Sequence, residues 1–503
     1  PANRALAGVP GFAPPAWWGA AGNPTVKVSG AADVFPDLDL RGMGLDSGNY
    51  WFYGRPDLDV WHTANLDEEF TEHSEVTTLA GYLELEDRLF QQLDREVYAK
   101  TGRADDVSIN RYQRGSLADP ERWSPNLNRS YVLEAEEPRA MVLMLHGLSD
   151  APYSLWRMAQ SLHESGATVL GLRIPGHGTA PSGLTTVSWQ DMAAAVRLGV
   201  HHLAETDPDL PIHIVGYSNG AALAVEYVLE TLVNPQLPSI GRLVLLSPEI
   251  GVTPAAALAI WQSRLGRLLG LEKLAWKSIE LEYDPFKYGS FAVNAGDVSH
   301  RITREIQRLL KRLSDEGRLD LLPPTLAFSS VVDATVEVTA LVDHVFNPLP
   351  EGDHELVLFD TNRRAGVDDI LLWKPDAILT ALRASPRRNY ALTLVTNRDS
   401  GSLQVVERSL APGADRFFDR TIGLSWPPEV YSLSHVALPF APDDPLYGSG
   451  LGKESPGIRL GDLALRGERG ALAISDSVQL RQRWNPFYAY LEDKSLAFLQ
   501  LAE

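Results

Sequence analysis

The chain has 503 residues, 44% of them hydrophobic, with no cysteine and with 65 acidic against 45 basic side chains, a net charge of −20. Lacking cysteine, it can form neither disulfides, thiolate metal sites nor a cysteine nucleophile, and the surplus of negative charge argues against a nucleic-acid partner because a phosphate backbone would be repelled. No apolar run approaches the roughly 18 residues of a membrane span, and the length points to two or three structural units.

Residues 1–130 contain little β-prone apolar sequence and read as an N-terminal extension packed on a core. Its start is rich in Pro, Gly and Trp (Pro14-Pro15-Ala16-Trp17-Trp18-Gly19), and Trp17, Trp18, Trp51 and Trp61 are expected to be buried anchors rather than sugar-stacking or membrane-surface residues. An amphipathic helix is expected over 75–98, with Leu79, Tyr82, Leu83, Leu89, Phe90 and Leu93 on its apolar face. The pairs Asp37/Asp39 and Asp57/Asp59 do not match a calcium loop, and Gly42 to Gly48 lacks the spacing of a dinucleotide loop.

From residue 131 the pattern changes to strands and helices in alternation. Ala140 to Leu145 is an apolar run of strand length that ends in His146-Gly147-Leu148-Ser149-Asp150. Pro211-Ile212-His213-Ile214-Val215 leads into Gly216-Tyr217-Ser218-Asn219-Gly220 and then an alanine-rich run. A G-x-S-x-G sequence between a strand and a helix is a nucleophile elbow, whose glycines leave room for a strained turn that lifts the serine hydroxyl out of the sheet. Ser218 is therefore the candidate nucleophile, and the amides of Leu148 and Asn219 are the candidate oxyanion donors.

Leu243 to Pro248 reads as another core strand, followed over 252–320 by helix-like stretches (254–271 and 301–313) and the segment 276–283. Their apolar faces, with Leu258, Ile260, Trp261, Leu265, Leu268, Leu269 and Trp276, are expected partly to line a pocket and partly to pack on the core. Pro324 to Ser330 is a further buried strand with Asp333 just past its end, and a helix-like stretch follows through Phe346. Glu355 to Phe359 reads as the last core strand. After two more strand-like runs (390–395 and 403–406), a short β-prone run from Val430 leads to His435. The chain order is Ser218, Asp333, His435.

In its phrases Leu145-His146-Gly147-Leu148, Leu172-Arg173-Ile174-Pro175-Gly176-His177-Gly178, Gly216 to Gly220, Asp333 to Val336 and Ser434-His435, the chain resembles the α/β-hydrolases of the serine esterase and lipase group, and most narrowly the branch containing monoacylglycerol lipases. The resemblance spans about 140–440. It implies an α/β fold with a mostly parallel central sheet flanked by helices and a helical cap insertion, a nucleophile at Ser218, an acid at Asp333, a base at His435 and oxyanion donors at Leu148 and Asn219. The units expected are an extension over 1–130, a core in two parts over 131–251 and 321–503, a cap over 252–320, and an insertion over about 361–430.

That insertion is a departure, because the family's catalytic histidine usually follows the last core strand closely. Asp360, at the end of a strand, is the rival to Asp333 as the triad acid. His354 stands at the wrong end of its strand for a base, His344 lies inside a helical stretch, Asp343 and Asp353 read as solvated, and His146 and His177 read as shaping loops.

The function expected is hydrolysis of short- to medium-chain acyl esters through an acyl-enzyme, with a small-molecule substrate and with no cofactor or metal required. An amidase, peptidase or acyltransferase on the same triad is the alternative, with Glu280 or Glu282 as a conceivable amine anchor, and a silent binding protein is a third. Epoxide hydrolases and haloalkane dehalogenases are excluded because they carry an aspartate nucleophile where Ser218 stands. The start at Pro1 without methionine, together with the lack of cysteine, gives the expectation of an exported bacterial protein.

Overall fold

The computed structural model describes residues 56–502, apart from 104–107, 251–271, 334, 337, 368–370, 372–374, 385–387, 451–453 and 462–479. The readings on Trp17, Trp18, Trp51, the helix over 254–271 and its apolar wall all fall outside the described residues. Everything below concerns the compact unit Asp59–Glu503. No helix among the described residues is long and apolar enough to cross a membrane.

The unit is built on a ten-stranded sheet. In chain order its strands begin with β1 (Tyr131–Leu133), β2 (Ala140–Leu145), β3 (Ala167–Leu172), β4 (Ile212–Tyr217) and β5 (Arg242–Leu246). A separate two-stranded hairpin supplies β6 (Trp276–Ser278) and β7 (Phe291–Ala292). The main sheet resumes with β8 (Thr325–Ser330), β9 (Glu355–Phe359), β10 (Ala391–Asn397), β11 (Gln404–Leu410) and β12 (Phe418–Ser425). The spatial order is β1-β3-β2-β4-β5-β8-β9-β10-β11-β12. Every pairing from β3 through β10 is parallel, while β1, β11 and β12 are antiparallel to their neighbours.

Every residue of β2, β3, β4 and β8 is buried. That is why these strands read as unbroken apolar runs: helices of the crossovers cover a parallel sheet, so its residues do not alternate between core and water. Among the described residues, the α-helices of nine or more residues are α1 (Leu79–Leu93), α2 (Trp156–Glu164), α3 (Trp189–Thr206), α4 (Asn219–Val233), α5 (Val293–Asp315), α6 (Pro375–Ala384) and α7 (Tyr488–Phe498). Of these, α2 packs on β3, α3 on β2 and α4 on β4.

The strand order reverses between β2 and β4. The chain leaves β2 to one side to make β3, then crosses back to lay β4 on the other flank of β2. Loops leaving the carboxyl ends of two such strands diverge and open a crevice. Here those loops begin at His146 and at Ser218.

Two expectations about organisation are corrected. First, β9 is not the last core strand, and 361–430 is not an insertion. A parallel partner needs a crossover of a dozen or more residues; residues 361–390, with α6, make that crossover and deliver β10 in register beside β9, Leu392 opposite Leu356. Tight antiparallel turns then add β11 and β12. Second, the run from Val430 to Ser434 forms no strand, and His435 opens a short 3₁₀ turn, His435–Ala437.

Of the expected cap, the described part is the β6/β7 hairpin and α5. This helix starts eight residues before Arg301 and buries Val298, Ile302, Ile306, Leu309 and Leu313 at helical spacing against α4. Trp276 is buried edge-on to His62 at 5.0 Å between ring centroids.

The helix expected over 75–98 runs as α1 and then continues as a π turn, Asp94–Tyr98. Leu79, Tyr82, Leu89, Phe90 and Leu93 are buried. Trp61 is buried and stacks on Tyr112 at 5.0 Å. A fully buried guanidinium anchors this segment: Arg173, just past β3, donates to both oxygens of Glu69 at 2.9 and 3.0 Å and to Glu86 at 3.0 Å. Ser130 caps the Glu86 carboxylate through its amide and hydroxyl, and Gly176 donates its amide to Glu69. Such a charge is tolerable in the interior only because its donors are spent on paired, hydrogen-bonded carboxylates.

Candidate active site

Ser218 follows the last residue of β4 and directly precedes α4. Its backbone sits at φ 54° and ψ −115°, a region that costs a non-glycine residue free energy and survives only where the surroundings fix it. They do so through four bonds. The Ser218 amide donates to Leu246 O at 2.9 Å, and its carbonyl accepts from the amides of Ala221, Ala222 and Glu249 at 3.1, 3.2 and 3.1 Å.

The flanking glycines are dictated by contact. A Cβ on Gly216 would lie 2.6 Å from the Ala221 Cα, and one on Gly220 would lie 2.1 Å from the Leu145 carbonyl oxygen. Since the obstacle at Gly220 is strand backbone, Gly220→Ala is expected to cost about 3 kcal/mol or more of stability. The denaturant midpoint of the purified variant reads this directly, and an unchanged midpoint would mean the elbow can move off β2.

His435 reaches both other candidate residues across large sequence separations. Its Nε2 lies 3.1 Å from Ser218 Oγ and its Nδ1 lies 2.9 Å from Asp333 Oδ2. The other carboxylate oxygen of Asp333 accepts from the amides of Thr335 and Val336 at 2.8 and 3.0 Å. Burial works to raise the Asp333 carboxyl, but His435 and those two amides outweigh it and hold the group below the ordinary carboxylate range, as an anion. Tyr217 lies beside His435 at 5.5 Å between ring centroids.

The loop after β2 is shaped by its own histidines. Ile174 N donates to His146 Nε2 at 3.0 Å, so the ring proton lies on Nδ1 and is donated to Gly147 O at 2.9 Å. His177 packs edge-on to that ring at 5.0 Å and donates from Nδ1 to Pro175 O. Burial pushes His177 down to about 4 and His146 well below the ordinary histidine range, so both are neutral at pH 7. Leu148 follows this fixed segment. Asn219 is the first residue of α4, where first-turn amides have no acceptor within the helix.

Residues 136–361 match the family described as serine aminopeptidase, S33. The chain has the α/β-hydrolase fold. A search of curated protein sequences returns no match. Among solved structures, the chain is similar to a metagenome-derived lipolytic enzyme at 18% identity, over 51% of this chain and 98% of that one, with a TM-score of 0.36. It is similar to a monoglyceride lipase of Saccharomyces cerevisiae at 13% identity, over 46% and 82%, with a TM-score of 0.37. It is also similar to a Paleococcus ferrophilus monoacylglycerol lipase at 20% identity, over 46% and 89%, with a TM-score of 0.35.

The remaining carboxyls and histidines of the chain are placed as follows. Asp360 is spent elsewhere: it accepts two bonds from Arg363 at 3.0 Å each and one from Thr396 Oγ1 at 2.7 Å. His354 precedes β9 and so stands at the amino end of the parallel strands, opposite to Ser218. His344 lies in a π turn, Val342–Phe346, and Asp343 beside it is exposed, as is Asp353. Glu282, weighed as an amine anchor, is buried and accepts from the amides of Gly289 and Ser290 at 2.9 and 2.8 Å, which makes it a brace for the β6/β7 hairpin. Glu280 lines a cavity beside the site.

Sequence reasoning missed Glu249. Burial pushes its carboxyl up, against the pull of Ser299, His435 and Asn219. The one available signal was position: an acidic residue directly after the Ser247-Pro248 pair that follows β5, on the same rim as Ser218.

Proposed function

We propose that the protein is a serine hydrolase that cleaves carboxylic esters of short to medium acyl chains through an acyl-enzyme. The observation that carries this reading is the position of His435, within hydrogen-bond distance of Ser218 Oγ on one ring nitrogen and of Asp333 on the other. In this mechanism His435 takes the Ser218 proton as Oγ attacks the acyl carbonyl, while Asp333, already anionic, orients the ring and stabilises the imidazolium. The carbonyl oxygen moves into the space between the amides of Leu148 and Asn219, each donor being worth about a hundred- to a thousandfold in rate. His435 returns the proton to the departing alcohol, and water then repeats the sequence on the acyl-enzyme. A cavity of about 300 Å³ bordered by Tyr217 and Val436, the chain neighbours of Ser218 and His435, is in scale with a short or medium acyl group.

The test is hydrolysis of p-nitrophenyl esters from acetate to palmitate by the protein and by Ser218→Ala at pH 7 to 8. Turnover on the shorter esters that vanishes in the variant supports the proposal. Turnover confined to long chains would overturn the chain-length reading, and no turnover on any ester would overturn the esterase reading.

A further inference from the structure

The cavity beside Ser218 is lined by charge. Its acids are mostly engaged: Asp150 is paired with Lys287 at 2.8 Å, and Asp284 accepts from Tyr447 OH at 2.6 Å and from the amides of Phe286 and Lys287. Two of its cations are not. Arg481 donates to Thr335 Oγ1 at 3.2 Å and Arg483 to Tyr283 OH at 3.4 Å, and among the described residues neither guanidinium has a carboxylate within ion-pair distance. Each guanidinium has five N–H donors in a planar fork, so each keeps donors to spare. Glu280, on the exposed rim, is the remaining carboxylate in the lining. With Asp150 and Lys287 paired, Glu280 and Asp284 balance the two arginines in charge, and the lining's cationic donors without an ion-pair partner among the described residues are these two guanidiniums.

The two guanidiniums stand out in a chain with 65 acidic residues and a net charge of −20. An arginine in such a protein has no shortage of carboxylates to pair with, yet these two, separated by one residue, line the cavity bordered by Tyr217 and Val436 with no carboxylate within ion-pair distance among the described residues. Planar forks of this kind recognise a carboxylate through two parallel N–H···O bonds.

We propose that this cavity is an anion subsite in which Arg481 and Arg483 receive a carboxylate carried by the substrate, so that the preferred substrates are carboxylate-bearing esters rather than neutral esters of equal length. The proposal rests on the ester-hydrolase reading for its chemistry but makes a separate claim about recognition. Binding to Ser218→Ala therefore tests it without turnover.

The experiment is calorimetric titration of Ser218→Ala with two matched pairs: monomethyl adipate against methyl hexanoate for a carboxylate on the acyl side, and 4-(butyryloxy)butanoate against butyl butyrate for one on the alcohol side. In at least one pair the carboxylate ester is expected to bind about ten- to a hundredfold more tightly, the scale of a charge-assisted bidentate contact. That ratio should shrink as salt is raised and fall to about one when Arg481→Gln and Arg483→Gln are added together. Arg483→Lys should restore part of it. A ratio near one in both pairs, or a preference that survives the double substitution, overturns the subsite. If the protein with Ser218 intact hydrolyses no ester but Ser218→Ala still shows the arginine-dependent preference, the subsite stands and the esterase reading falls.

Discussion

Alanine at His435 is expected to lower turnover by about a millionfold, alanine at Ser218 by about as much, and the two together by no more than either alone, because residues that act as one unit lose the same step whichever is removed. Asp333→Asn should cost less, about ten-thousandfold. The asparagine can still accept from Thr335 N and Val336 N, but it carries no charge to oppose the imidazolium that forms on His435. Active-site titration with a fluorophosphonate separates contamination from residual activity, since the Ser218 variant cannot be labelled. A His435→Ala protein that turned over esters at near the parent rate would remove the triad assignment. Asp360→Asn provides the contrast: its partners are Arg363 and Thr396, so any loss there should appear as stability and not as a change in the pH profile of turnover.

Glu226→Gln is expected to stabilise the protein at alkaline pH. Glu226 is buried in α4, the helix that begins at the elbow, and burial with Glu230 and Glu305 nearby pushes its carboxyl up to about 8. Below about pH 4.5 the group is protonated in both folded and unfolded chains and contributes no difference. Between there and pH 8 the unfolded chain ionises while the folded one holds its proton, so stability drains away as pH rises, at up to about 1.4 kcal/mol per pH unit. Glutamine keeps the shape without the ionisation. Urea midpoints of the two proteins should therefore coincide near pH 4.5, diverge as pH rises and differ by a few kcal/mol at pH 8, with a constant gap above it. A gap that does not depend on pH would mean that Glu226 ionises freely in the folded protein.

What the sequence revealed and what it hid have physical reasons. The parallel strands were visible because burial removes the need for alternation, so Ala140 to Leu145 and Ile212 to Tyr217 are nearly uninterrupted apolar runs. The elbow was visible because Gly216 and Gly220 are forced by backbone approach. Strand β12 was invisible, since most of its residues face water and its neighbour β11 supplies the register. The role of Asp360 could not be settled from spacing, because its partner Thr396 lies on β10, a strand whose place beside β9 is a property of the sheet. Nothing in the spacing of Arg481 and Arg483 marks them in the chain, and only the folded arrangement brings them to a cavity shared with Tyr217 and Val436.

The wide separation of the three site residues also governs when the site comes into being. The bonds from His435 span 102 residues to Asp333 and 217 to Ser218, and contacts of such long range form late because loop closure must be completed before they are rewarded. A ribosome that has delivered the chain through β8 has already supplied the residues of the elbow and of the loop after β2, while His435 is still unsynthesised. On the proposed mechanism the nascent protein therefore carries Ser218 with no base to activate it, and reactivity is expected only after the final antiparallel strands have been laid down. Returning activity in a refolding experiment would accordingly report completion of the sheet's far edge, lagging any signal from the parallel core.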